Sequence, residues 1–221
     1  MGASTTFALI HGVGDAGWYW HLVEAELRAR GFDSVAPDLP IEDDSAGLSE
    51  YADAVLEAIG DRENVVVVAQ SFGGFVAPIV ADRLGSRARL IVLVAGMVPM
   101  PGERPDDYFA ATRYRSEPTD DDSEIGVFYH DLPRPLGEEA LRHGRRQADT
   151  PGNAPWPLPA WPDITVRFVL CRDDRFFPAA WLRGVVRERL GIEPDEIDGG
   201  HTPALSHPRE LAALLSDYVG A

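Results

Sequence analysis

The stretch Val65-Val66-Val67-Val68-Ala69-Gln70-Ser71-Phe72-Gly73-Gly74 constrains this chain more than any other. Branching at Cβ crowds a helix and suits a strand, and a run without polar alternation reads as a strand buried on both faces. The run breaks at a serine flanked by small residues, after which helix-like apolar spacing begins. The result is a strand–turn–helix with Ser71 at its apex. It matches the nucleophile elbow G-x-S-x-G, with Ala69 where the first glycine is usual. Strand and helix backbones approach closely there, so the positions two before and two after the serine must be small. Ala69 and Gly73 meet that need. The tripeptide S-x-G alone is a weak signal, expected about once by chance at a glycine usage of ~7%. Ser45-Ala46-Gly47 is that chance match, since an acidic loop and no strand leads into it.

At 221 residues, 45% of them hydrophobic, the chain is long enough for one large domain with a filled core. A net charge of −16 without a basic stripe excludes binding to a nucleic-acid backbone and disfavours anionic membranes and substrates. All 20 basic residues are arginine, which biased codon usage explains; without lysine, Schiff-base chemistry and a P-loop are excluded. The single cysteine, Cys171, precludes an intramolecular disulfide or a multi-cysteine metal site, and its apolar surroundings make it a small core residue. Neither a signal-peptide pattern nor an apolar run approaching 18 residues is visible, so a soluble cytoplasmic protein without membrane contact is expected.

Phe7–Ile10 forms a first strand, ending at the glycine-rich loop His11 to Gly17. Trp18 to Arg30 has helical spacing with Gly31 as C-cap, Val35-Ala36 is a second strand, and Leu48 to Ile59 a second helix. After the valine strand, a helix runs from Ser71 to Leu84, with Pro78 expected to kink it. Leu90–Val94 is strand four. The alternation implies right-handed crossovers and a mostly parallel sheet. Between residues 96 and 162 it stops: most of the 18 prolines gather here with Tyr108, Phe109, Phe128, Tyr129, Trp156 and Trp161. This segment reads as a small helical lid, inserted into a core made of residues 1–95 and 163–221. The pattern then resumes with strand five at Ile164–Leu170, a helix at Ala179–Leu190, strand six at Glu193–Ile197 and a closing helix from Pro203 to Tyr218.

A serine hydroxyl needs a base within hydrogen-bond reach, oriented by a third group. Loops at the carboxyl ends of parallel strands share one edge. His201, in Asp198-Gly199-Gly200-His201-Thr202 directly after the last strand, is therefore the candidate base. The orienting carboxylate should follow strand five, where Asp173 and Asp174 compete; Asp174, four residues before Pro178 at the next helix start, fits better. The other aspartate is expected to be solvated or paired with Arg172 or Arg175. The order Ser71, Asp174, His201 is the one expected of this fold. The backbone N–H groups of Phe72 and Val13 are candidates for holding a developing oxyanion. His11 is expected to brace its loop, beside the pocket. Trp18 and the lid aromatics Tyr108, Phe109 and Tyr129 are candidates for the pocket wall, with Trp18 fitting core packing equally. No metal or cofactor is called for.

Together these positions resemble the α/β-hydrolase superfamily across nearly the whole chain apart from the lid. His11-Gly12-Val13-Gly14-Asp15-Ala16-Gly17-Trp18-Tyr19-Trp20 and His201-Thr202-Pro203-Ala204-Leu205-Ser206-His207-Pro208 resemble the branch containing plant methyl esterases and hydroxynitrile lyases. The resemblance implies a three-layer α/β-hydrolase fold with about six strands and an esterase acting on small, largely apolar esters. The lyases resembled here carry a threonine after the first histidine and a lysine after the catalytic one. This chain has Gly12 and Thr202, which sets the lyase reading aside. Other triad chemistry on the same fold (a lactonase, a C–C hydrolase, a perhydrolase) and a slow-turnover binding protein are the alternatives.

Overall fold

The computed structural model describes residues 4–220. Six strands, β1 (Thr6–Ile10), β2 (Asp33–Val35), β3 (Val65–Gln70), β4 (Ala88–Val94), β5 (Val166–Cys171) and β6 (Asp195–Ile197), form one sheet. Their order is β2-β1-β3-β4-β5-β6 and every pairing is parallel. The valine strand is therefore interior, with β1 and β4 as neighbours.

Its uniform hydrophobicity has a direct physical reason. Successive side chains point to opposite faces. Val65, Val67 and Ala69 pack with α2 (Leu48–Ile59), α3 (Ala77–Leu84) and α8 (Ala179–Leu190). Val66 and Val68 enter a second core with α1 (His21–Ala29) and α10 (Pro208–Gly220). Each fully buried valine contributes roughly 1.5–3 kcal/mol of transfer free energy, so a polar residue anywhere in the run would be felt on one face or the other. Cys171 belongs to the second core, where burial pushes its thiol pKa up.

Several boundaries differ from the sequence-based expectation for local reasons. Strand six starts at Asp195 because Pro194 has no N–H for the ladder. β2 occupies Asp33–Val35 rather than Val35-Ala36, since its pairing with Thr6 to Ala8 sets the register and an edge strand tolerates polar side chains. Ahead of α1, Gly17–Trp20 forms a 3₁₀ turn. The helix after Ser71 comes in two pieces, a 3₁₀ turn at Ser71–Phe75 and then α3. Pro78 thus lies in a first helical turn, where its missing N–H costs nothing, and kinks no helix interior. The closing helix is likewise divided, into α9 (Pro203–Ser206) and α10, because Pro208 can only begin a helix.

The β4–β5 connection carries four short helices: α4 (Tyr108–Ala111), α5 (Glu124–Phe128), α6 (Arg134–His143) and α7 (Thr150–Asn153). Arg189 of α8 anchors its beginning, donating to both carboxylate oxygens of Glu103 (2.6 and 2.8 Å) and to the Val98 carbonyl (2.6 Å). Trp156 and Trp161 anchor its end through indole N–H bonds to the carbonyls of Phe75 and Pro99. No helix among the described residues is long and apolar enough to cross a membrane.

Candidate active site

Register places the pieces. Ile10 pairs with Ala69, so the loop after β1 lies beside Ser71; Cys171 pairs with Ile197, so the loops after β5 and β6 run together. Ser71 itself takes φ 51°, in the left-handed region that side chains avoid, an arrangement costing roughly 1–3 kcal/mol. The tight turn survives because the chain beside it is bare. A Cβ on Gly73 would stand 3.0 Å from the His11 carbonyl oxygen, and one on Gly74 would collide with the Met97 carbonyl. Met97 N–H donates to the Ser71 carbonyl at 2.8 Å, locking the turn against the end of β4.

His201 Nε2 lies 3.1 Å from Ser71 Oγ, and His201 Nδ1 lies 2.8 Å from Asp174 Oδ2. All three side chains are buried. With Nδ1–H donating to the carboxylate, Nε2 is left as an acceptor for the serine proton. Asp174 Oδ1 accepts the N–H groups of Phe176 and Phe177, both at 2.8 Å, which fixes the carboxylate that holds the ring. The rings of Phe128, Phe176 and Phe177 surround the imidazole with centroids 4.9–5.5 Å away. Of the two competing aspartates, Asp174 makes the histidine contact. Asp173 pairs with neither arginine; its Oδ2 accepts Gly199 N–H at 3.2 Å, while Arg172 pairs with Asp198 and Glu196 and Arg175 donates to the Gly126 carbonyl.

Val13 and Phe72 both line a cavity of about 800 Å³ that opens over Ser71 and His201. Phe72 N–H lies in the first turn of a helix, where the backbone provides no acceptor. His11 is not part of the cavity wall. It is fully buried, donates through Nδ1 to the Gly12 carbonyl (2.9 Å) and accepts Leu39 N–H at Nε2 (3.0 Å). Burial pushes its pKa down to about 4, so it stays neutral and braces the loop that carries Val13. Phe109 and Tyr129 line the cavity; Trp18 and Tyr108 do not. Trp18 is stacked between the rings of His21 and His143, at 4.5 and 4.1 Å, and Tyr108 is a core residue whose hydroxyl accepts Val98 N–H. Among the described residues, no group of three or more His, Cys, Asp or Glu side chains is placed to hold a metal.

A hydroxyl, an imidazole and a carboxylate in series beside an open cavity is an arrangement suited to nucleophilic attack on a carbonyl. Residues 7–214 match the family model described as Alpha/beta hydrolase family. The chain belongs to the alpha/beta hydrolase family. This hydrolase is 28% identical over 248 residues to Methylesterase 7 of Arabidopsis thaliana, covering 96% of this chain and 95% of that protein. It is 25% identical over 250 residues to a probable esterase, PIR7A, of Oryza sativa subsp. indica, covering 95% and 94%. Among solved structures, polyneuridine aldehyde esterase superposes with a TM-score of 0.81 at 19% identity, covering 98% of this hydrolase and 99% of that chain.

Sequence reasoning overlooked several residues at the site of this hydrolase. Gln70, next to Ser71, donates from Nε2 to the His201 carbonyl at 3.0 Å and lines the cavity. Met97 and Phe176 belong to its apolar wall, beside the aromatic Phe128 of the β4–β5 connection, and Asp15 and Arg145 to its polar one. The pair Phe176-Phe177, two residues after Asp174, was the available signal for an apolar shell around His201. Nothing in sequence marks Gln70, whose role depends on a partner 131 positions away. Asp15 is the unusual member: burial, with Asp38 adding to it, raises its carboxyl pKa to about 6.

Proposed function

We propose that this alpha/beta hydrolase cleaves small, largely apolar carboxylic esters through an acyl-enzyme. Ser71 Oγ attacks the ester carbonyl while its proton passes to His201 Nε2. Asp174 holds the imidazole in the tautomer that can accept it and stabilises the imidazolium that forms. The carbonyl oxygen, now negative, lies against the amides of Phe72 and Val13, each worth ~3 kcal/mol of barrier when aimed at it. His201 returns the proton to the leaving alcohol. Water then attacks the acyl carbon, giving a proton to the same nitrogen; as the bond from Ser71 Oγ to that carbon breaks, His201 passes the proton to the oxygen, and the acid leaves.

The observation that carries the reading is the unbroken Asp174–His201–Ser71 series at 2.8 and 3.1 Å, ending in an 800 Å³ cavity with an apolar wall. Similarity to proteins named methylesterase and probable esterase supports it. Residues 96–162 serve in this reading as a lid over a core of residues 1–95 and 163–221, with Phe109 and Tyr129 of the lid facing the substrate. A cytoplasmic setting suits a chain whose single cysteine is buried and unpaired.

The test is intact mass after exposure to a fluorophosphonate, wild type beside Ser71→Ala, followed by a panel of short-chain and aryl methyl esters, lactones and diketones. One adduct on the wild type alone, with turnover of methyl esters above the other classes, is expected. An unlabelled wild type that a non-consumed ligand stabilises would instead make it a binding protein.

A further inference from the structure

Four residues of the β4–β5 connection, Gly126, Phe128, His130 and Asp131, make hydrogen bonds to the immediate neighbours of both His201 and Asp174. On one side of His201, Gly200 N–H donates to Asp131 Oδ2 at 2.7 Å; on the other, Thr202 Oγ1 donates to the Phe128 carbonyl at 2.7 Å. On one side of Asp174, the Asp173 carbonyl accepts from His130 Nε2 at 3.1 Å; on the other, Arg175 Nη1 donates to the Gly126 carbonyl at 2.8 Å. Each of the four flanking positions is held, and all four partners lie outside the α/β core.

The glycine at position 200 belongs to the same arrangement. A Cβ there would stand 2.7 Å from His130 Nε2 and 3.0 Å from Asp131 Oδ1, so the loop is bare where residues 130 and 131 close on it. Asp131 bears a cost in this position. Its Oδ1 is buried without a hydrogen-bond partner among the described residues, and His207 Nδ1 is 3.9 Å from the other oxygen. An orphaned buried acceptor costs about 1–3 kcal/mol.

We infer that Asp131, with its neighbours in the 126–131 segment, is a positioning residue for the base and acid of the proposed ester hydrolysis. It touches neither substrate nor reacting atoms. It acts through the backbone of Gly200, setting where the His201 imidazole stands relative to Ser71 Oγ. This rests on the Ser71–His201–Asp174 reading, and a displacement of about 1 Å in such a series can cost on the order of a hundredfold in rate.

Three variants test it: Asp131→Ala, which removes the acceptor; Asp131→Asn, which keeps one at the same reach; and Asp131→Glu, which keeps the charge but moves it by a methylene. The readouts are kcat and KM on a methyl ester found active with the wild type, the rate of fluorophosphonate labelling, and Tm. Expected are a fall in kcat and labelling rate of about tenfold to a hundredfold for Ala and Glu, KM within about twofold, and Asn within about threefold of wild type in kcat. Should Asp131→Ala fail to fold, the Asn against Glu comparison decides alone. Folded Ala or Glu variants labelled as fast as the wild type, or Asn as slow as Glu, would overturn the inference while leaving ester hydrolysis intact. A wild type that neither labels nor turns over any ester would remove both.

Discussion

Two residues four positions apart on the loop after β1 are perturbed in opposite senses by burial. His11 is held neutral, with its pKa lowered to about 4, and Asp15 resists ionising, with its pKa raised to about 6. As pH falls from 6.5 towards 4, the unfolded chain protonates position 11 while the fold refuses the proton, so that histidine withdraws stability. Over nearly the same range Asp15 acts in reverse: the folded carboxyl takes a proton the unfolded one does not, and stability lost at pH 7 is regained by pH 4. Asp15→Asn should therefore raise the stability at pH 7.5 by at most about 3 kcal/mol, the gain vanishing near pH 4; Tm measured across that range checks it. His11→Ala, which leaves Leu39 N–H without its acceptor, should cost about 1–3 kcal/mol at pH 7.5 in a denaturant titration. At this scale the meeting of Ser71, Asp174 and His201 was legible, because parallel strands deliver their loops to one edge. The pocket wall was less so: aromatic side chains fill cores and line cavities alike, and only packing separates Phe109 from Tyr108. Asp131 and Gln70 were invisible for a related reason, since their partners are far along the chain.

Among the elements, the turn after β3 has the least freedom. Gly74→Ala would drive a methyl group into the Met97 backbone, which the bond from Met97 N–H to the Ser71 carbonyl prevents from retreating. A loss of about 2–4 kcal/mol is expected, read as a lowered denaturant midpoint, with labelling at Ser71 falling in the protein that remains folded. The start of the β4–β5 connection depends on the Glu103–Arg189 pair, whose side chains are 8 and 9% exposed. Glu103→Leu strands a buried guanidinium and should cost about 3–5 kcal/mol by the same measurement. Helix limits were readable where apolar periodicity and glycine caps coincide, as at Leu48–Ile59 and Ala179–Leu190. They were not readable where a proline forces a restart, as at Pro208, because spacing continues through a break in hydrogen bonding. The short helices of the β4–β5 connection lack any period long enough to announce them, and what fixes them is contact with the loops they cover.

For the molecule as a whole, charge is the largest unbalanced quantity. The formal charge of −16 persists although many arginines are engaged in ion pairs with carboxylates at the surface. Exposed pairs contribute little and repulsion among the surplus carboxylates is screened by salt. Tm should rise between 10 and 150 mM NaCl, and a calorimetric scan at each concentration would show it. The sheet adds a feature of a different kind. Both of its outer strands, β2 and β6, are only three residues long and begin with an aspartate. A second molecule seeking to extend the sheet would find few free backbone groups on either border and a polar side chain already engaged at each, Asp33 with Arg62 and Asp195 with the Tyr218 hydroxyl, so filament growth by strand addition finds little to start from.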